Sequence, residues 1–170
     1  WLSSKKVDIG YAPCTAIRVN FVGELGWELY IDINDSKKIY NLIIQKGKEF
    51  KISNCGMLSM DTMRMESGFL HWGHDISPEE NQYEAGLDFT ISYKKKIDFI
   101  GKKALLKIKE KKQKKKLITL SLEKSEPGKP LLLHDEPIYL DEKIIGRTTS
   151  GNYSFNYNKN LSFGYVNTDN

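Results

Sequence analysis

An α+β protein in two successive parts is predicted by three features of this 170-residue chain. Apolar and polar residues alternate over 14–22 and 27–32, as they do in half-buried strands. Helical spacing follows over 35–66. Beyond Lys94 the composition turns sharply basic, and after one further helical stretch the apolar segments are strand-like to the end.

In "CTAIRVNFV", Ile17, Val19 and Phe21 point one way and Arg18 and Asn20 the other. In "WELYID", Trp27, Leu29 and Ile31 share a face opposite Glu28, Tyr30 and Asp32. Gly23 and Gly26 bracket the link, so the pair reads as a hairpin. Asp35 or Ser36 is expected to cap a helix that carries Ile39, Leu42 and Ile43 on one face. A second helix is expected over 56–66, with Gly68 ending it. "FLHWGHDISPEENQYEAG" reads as an ordered loop, and "LDFTISY", 87–93, as a strand. A helix over 99–112 has a narrow apolar face of Ala104, Leu105 and Ile108. "LITLSLE", a hairpin "PIYLDEKIIGRTTSG" turning at Asp141 and Glu142, and "LSFGYV" complete the β-rich part. The change in composition places a domain boundary within 94–102, and no internal repeat is present.

Hydrophobic residues make up 39% and charged residues 28%, the balance of a soluble globular protein. No apolar run approaches the ~20 residues that a membrane-spanning helix needs. "WLSSKKVDIGYAP" has no apolar core or cleavage site of a signal peptide, and an opening on Trp1 is expected of a segment of a longer chain. Cys14 and Cys55 fall outside any CxxC spacing and are expected to be free thiols in a reducing, cytoplasmic setting. The net charge is +4, yet 94–116 holds 12 Lys against Asp98 and Glu110, a local +10 that leaves −6 for the rest. With almost no Arg and few interleaved aromatics, this run reads as a solvated helix face, and neither nucleic acid nor a membrane is expected as a partner.

No GxSxG elbow, activated cysteine or GxGxxG fingerprint is present. "HWGHD" offers His71, His74 and Asp75, but His134 is remote in the sequence, so these read as loop residues and not as metal ligands. Asp61 and Arg64 are three apart on the second helix, the spacing of a local ion pair, with Glu66 following. Glu24 and Glu28 lie in the hairpin. Two readings fit Glu28: a solvated strand glutamate, or a carboxylate that holds a flat ligand through adjacent N–H donors beside Tyr30.

"RVNFVGELGWELYI", "MLSMDTMRMESGFLHWGHDI", "EAGLDFTI" and "DFIGKKALL" occur in the order and spacing of a known family. The chain resembles the folate-dependent aminomethyltransferases: the glycine-cleavage T-protein and the tetrahydrofolate-binding regions of dimethylglycine and sarcosine dehydrogenases. "IIGRTTSGNYS" and "LSFGYV" resemble the start of their C-terminal β-barrel domain. The resemblance implies a T-protein-like folate-binding lobe, here its second half over 1–96, followed by an incomplete barrel-like domain over 97–170. It implies one-carbon transfer from a small methylated-amine or aminomethyl donor to tetrahydrofolate, within a three-lobed arrangement around the folate. The second glutamate of the family's GE-x-G-x-E motif accepts hydrogen bonds from the pterin, and the matching residue here is Glu28. Glu24 is implied at the turn or the edge of the pocket, with Met60 and Arg64 as further substrate-binding positions. T-proteins carry an arginine where this chain has Met60, so the segment looks more like the dehydrogenases, whose FAD would sit in an upstream domain of the parent. The family's catalytic aspartate is expected upstream of residue 1, so no catalytic residue is assigned within the chain. T-protein itself, a folate-dependent demethylase and a non-catalytic folate-binding or regulatory relative are the alternative readings that the resemblance leaves open.

Overall fold

The computed structural model describes residues 2–169 and divides by contacts into two compact units, 1–69 and 70–170. The first unit begins with a three-stranded antiparallel sheet in the order β1 (Ser4–Asp8), β2 (Pro13–Ile17), β3 (Glu28–Ile31). β1 escaped the sequence reading because only Val7 in "SKKVD" is even half-buried. Lys5 and Lys6 on this outer strand are of the kind that keeps an exposed edge from pairing further.

β2 and β3 pair in the register Ile17 with Glu28 and Thr15 with Tyr30, so the hairpin is present. Its first strand stops at Ile17, however, and does not run to Val22. Asn20 is the cause. Its Oδ1 accepts from the Val22 and Gly23 amides at 3.0 and 2.8 Å, and its amide donates to the Glu24 carbonyl. Local side-chain bonds of this kind turn the backbone away from a ladder.

Helix α1 (Ile33–Gly47) is capped by Asp32, whose side chain accepts from the Asn34 amide, and not by Asp35 or Ser36. Asp35 lies in the first turn, where a negative charge still suits the helix dipole. Ile39 is fully buried, and Leu42 rests against Gly10 in the β1–β2 turn. A 3-10 turn, Lys48–Phe50, follows. Helix α2 (Met57–Glu66) then runs from an N-cap at Gly56 to the positive-φ Gly68, as its flanking glycines predict.

The second unit opens on the ordered loop that carries the histidines. Residues 87–93 do not form the expected strand; the chain makes a 3-10 turn at Asp88–Thr90 instead. No strand partners it among the described residues, and its amides are spent locally, Thr90 to the Leu87 carbonyl and Ile91 to that of Asp88, each at 3.0 Å. Alternation alone makes no strand without a neighbour to take its backbone groups. Helix α3 (Lys102–Lys109) is shorter than 99–112; Leu105 and Ile108 are half-buried, while Ala104 is exposed.

An antiparallel four-stranded sheet completes the unit, in the order β4–β7–β6–β5, from β4 (Lys115–Ser121), β5 (Pro137–Leu140), β6 (Lys143–Ser154) and β7 (Lys159–Asn167). β5 and β6 turn at Asp141 and Glu142 as expected. β7 lies between β4 and β6 and is buried on both faces from Asn160 to Tyr165, with Phe163 at its centre. Cys14 and Cys55 are free thiols, the first buried and the second exposed. No helix of the described residues is long and apolar enough to cross a membrane.

Candidate functional site

The face of β3 predicted to carry Glu28 and Tyr30 is the exposed one, while Leu29 and Ile31 are half-buried on the other. Glu28 is the first residue of the strand. Its Oε2 accepts the Tyr30 hydroxyl at 2.8 Å, an i, i+2 contact along one face. That bond, and the carboxylate charge beside it, raise the pKa of the Tyr30 hydroxyl above its ordinary value. Tyr30 thus acts as a donor that fixes the carboxylate, whose remaining lone pairs stay open to a ligand.

The link between the strands is a braced loop. Phe21 stacks on Phe69 with ring centroids 6.1 Å apart and planes 14° apart. Ser67 Oγ donates to the Val22 carbonyl at 3.2 Å. Gly23 has φ +76° and lies so close to Ser67 that a Cβ there would overlap the Ser67 hydroxyl. Gly26 packs beside Asn20, where a Cβ would stand 3.0 Å from the Asn20 Cβ. Gly23 is therefore required both by close approach and by its backbone angle, while Gly26 sits in a tight spot against Asn20. At the root of the loop the Arg18 guanidinium lies 5.6 Å from the Trp27 ring centroid.

Glu24 sits at the exposed tip, and its backbone carbonyl is the Asn20 acceptor. Arg64 is 3% exposed. Its Nε donates to Asp61 Oδ1 at 2.7 Å and its Nη1 to the Phe69 carbonyl at 3.2 Å. It therefore secures the end of α2, and through Phe69 the stack that holds Phe21. Met60 is half-buried four residues earlier on the same helix. The structure thus joins the hairpin loop to the end of α2. Asn20, Ser67 and Phe69, which complete that joint, went unread. Asn three residues before Gly23 was the one local signal for it.

In the second unit, the histidine loop is organised by Asp75, which is 1% exposed. Its Oδ1 accepts from Thr149 Oγ1 at 2.6 Å and Ser150 Oγ at 2.7 Å, and its Oδ2 from the His71 amide at 2.8 Å. Consecutive strand residues ordinarily face opposite ways; a bulge in β6 between Thr148 and Ser150 lets two neighbouring hydroxyls reach one oxygen. The Asp75 carbonyl accepts the Tyr165 hydroxyl at 2.9 Å. Burial, and then the charges of Glu80, Asp75 and Glu84, raise that hydroxyl's pKa. His134, remote in sequence, joins the cluster: its ring lies 5.6 Å from that of His74, which lies 4.6 Å from His71. Among the described residues no group of three or more His, Cys, Asp and Glu is placed to hold a metal ion.

Comparison with known proteins agrees with this architecture. The family description "GCVT N-terminal domain" matches residues 1–95, and "Glycine cleavage T-protein C-terminal barrel domain" matches 115–170. Human mitochondrial dimethylglycine dehydrogenase is 39% identical over 98% of the chain, which spans 19% of that protein. The aminomethyltransferase of Symbiobacterium thermophilum is 32% identical over 96% of the chain, which spans 43% of it. The fold matches that of the glycine cleavage system aminomethyltransferase T from Bartonella henselae with a TM-score of 0.79 at 22% identity, covering 92% of this chain and 42% of that one. On these matches the chain belongs to the glycine cleavage T-protein family, of which it carries N-terminal-domain and C-terminal-barrel sequence.

Proposed function

We propose that the chain is the folate-binding part of an enzyme that transfers one-carbon units to tetrahydrofolate, of the type found in dimethylglycine and sarcosine dehydrogenases. In this reading residues 1–96 belong to the folate-binding lobe and 97–170 to the barrel domain. The observation that carries it is the state of Glu28: exposed, on the outward face of β3, steadied by Tyr30 through one oxygen and open elsewhere. A carboxylate so held matches the paired N–H donors of a pterin edge, because two parallel charge-assisted bonds fix both position and orientation. The exposed Tyr30 ring offers an apolar flank to a flat ligand.

Tetrahydrofolate, when bound, supplies the ring nitrogen that accepts the one-carbon unit. This chain's residues bind and orient. Glu28 would take the pterin N–H groups, and Tyr30, through its hydroxyl, would hold the carboxylate's orientation. Gly23, Asn20 and Ser67 set the path of the loop that enters β3. Glu24 shapes the turn. Arg64, paired with Asp61 and bonded to the Phe69 carbonyl, positions the loop beside the substrate. The donor is a small methylated amine. Met60 in place of the T-proteins' arginine favours a dehydrogenase-type parent over T-protein. FAD in such a parent belongs to another part of the chain, since no GxGxxG fingerprint occurs here. Two free thiols suit a reducing compartment, either cytoplasm or the mitochondrial interior named for the mammalian dehydrogenases.

Calorimetric titration of tetrahydrofolate into the full-length parent tests this. Glu28→Gln is expected to weaken binding by roughly 1–3 kcal/mol, about ten- to a hundredfold, while Glu24→Gln leaves it unchanged. Equal affinity for wild type and a folded Glu28→Gln protein would remove the assignment.

A further inference from the structure

In the loop that opens the basic segment, Ile97 is 77% exposed and Ile100 is 103% exposed. The loop is pinned from within. The Tyr93 hydroxyl meets that of Tyr83, and the Tyr93 and Phe99 ring centroids are 6.5 Å apart. Lys95 Nζ lies 5.8 Å from the Phe99 ring centroid and Lys109 Nζ 5.5 Å from that of Tyr93. Because Tyr93 and Phe99 turn inward, the two isoleucines are held outward. Lys94, Lys95, Lys96, Lys103 and Lys107 are exposed around them. Among the described residues the segment's carboxylate partners go to Lys102, Lys112 and Lys115, through Asp98, Asp169 and Glu80. Among the described residues no ion pair is made by Lys94, Lys96, Lys103 or Lys107.

We propose that this loop and the start of α3 form a docking surface for an anionic lipid bilayer, with Ile97 and Ile100 entering the headgroup boundary and the lysines resting on it. A solvated face accounts for lysines but not for two fixed, outward aliphatic side chains amid them. A bilayer satisfies both, because it takes protruding apolar tips without a shaped pocket and attracts each nearby cation. Lysine suits it too: the long stem lies along apolar surface while the ammonium stays among headgroups. A nucleic acid or an acidic peptide would meet the lysines but offer nothing to the two exposed isoleucines. Such docking is peripheral and calls for no spanning helix.

The test is co-sedimentation of the full-length parent with vesicles of phosphatidylcholine alone, or of equal parts phosphatidylcholine and phosphatidylglycerol. Binding is expected only with phosphatidylglycerol and is lost in high salt. The Ile97→Ser/Ile100→Ser double variant should bind at least about tenfold more weakly with unchanged folate affinity, as should Lys94→Ala/Lys96→Ala. No binding to anionic vesicles, equal binding to neutral ones, or a double isoleucine variant that binds like wild type would overturn the proposal. So would capture of soluble polyglutamate by the same lysines in a protein that ignores vesicles.

Discussion

Glu28 and Glu24 stand four residues apart on one hairpin, and the fold gives them different surroundings. Glu28 is anchored by a phenol on the next outward position of its strand; Glu24 rides a loop tip and contributes its backbone carbonyl to the turn. The glycines around them are as specific. Gly23→Ala is expected to cost about 1–3 kcal/mol, because the site requires φ > 0 and has Ser67 where the methyl would go. Denaturant unfolding measures this, and adding Ser67→Gly should restore part of the loss by removing the clash while the backbone strain stays. Full restoration would show that φ is not the constraint; Ser67→Gly alone measures the cost of losing the Ser67–Val22 hydrogen bond, against which the double variant is read. The alternation of "WELYID" was enough to put Glu28 and Tyr30 on one face and Leu29 and Ile31 on the other, but not to place Trp27, which precedes β3 and is exposed. That Tyr30 would bond Glu28 is a consequence of strand geometry acting on that spacing.

Elements were readable where local residues decide them. α2 begins at its glycine N-cap and ends before a glycine in the left-handed region, and the β5–β6 turn falls on the two polar residues between apolar runs. They were unreadable where distant residues decide. "LDFTISY" alternates yet finds no partner strand, β1 is a strand only because β2 lies beside it, and β2 ends where Asn20 captures two amides. The Asp75 hub belongs to the same class, since its partners Thr149, Ser150 and Tyr165 lie far along the chain. Asp75→Ala would leave two buried hydroxyls and the His71 amide without their acceptor. A loss of about 3 kcal/mol or more is expected in urea unfolding, against about 1 kcal/mol for Thr149→Val alone. A change below 1 kcal/mol for Asp75→Ala would mean that the loop is not held through this carboxylate.

For the whole molecule, two buried groups define a window of pH. Burial pushes the Glu80 carboxyl up, but the Lys115 ammonium at 2.5 Å and the Ser77 hydroxyl and amide outweigh it and hold it below its ordinary value. A carboxylate whose pKa is depressed on folding adds stability that is present above its unfolded pKa and lost as pH falls through the folded one. Tyr165 is the reverse case: its raised pKa adds stability that is present below the ordinary tyrosine value and lost as pH rises through the folded one. Stability against pH should therefore fall on the acid side with a component that Lys115→Met reduces, and on the alkaline side with one that Tyr165→Phe removes. Unfolding midpoints that track wild type at both extremes in these variants would assign the limits to other groups. The central claim concerns Glu28, and a crystal structure of the full-length parent with tetrahydrofolate tests it most directly. Both Glu28 carboxylate oxygens are expected within about 2.7–3.2 Å of pterin N–H donors, with Tyr30 still bonded to Oε2. A pterin bound elsewhere, with Glu28 facing solvent, would contradict the account.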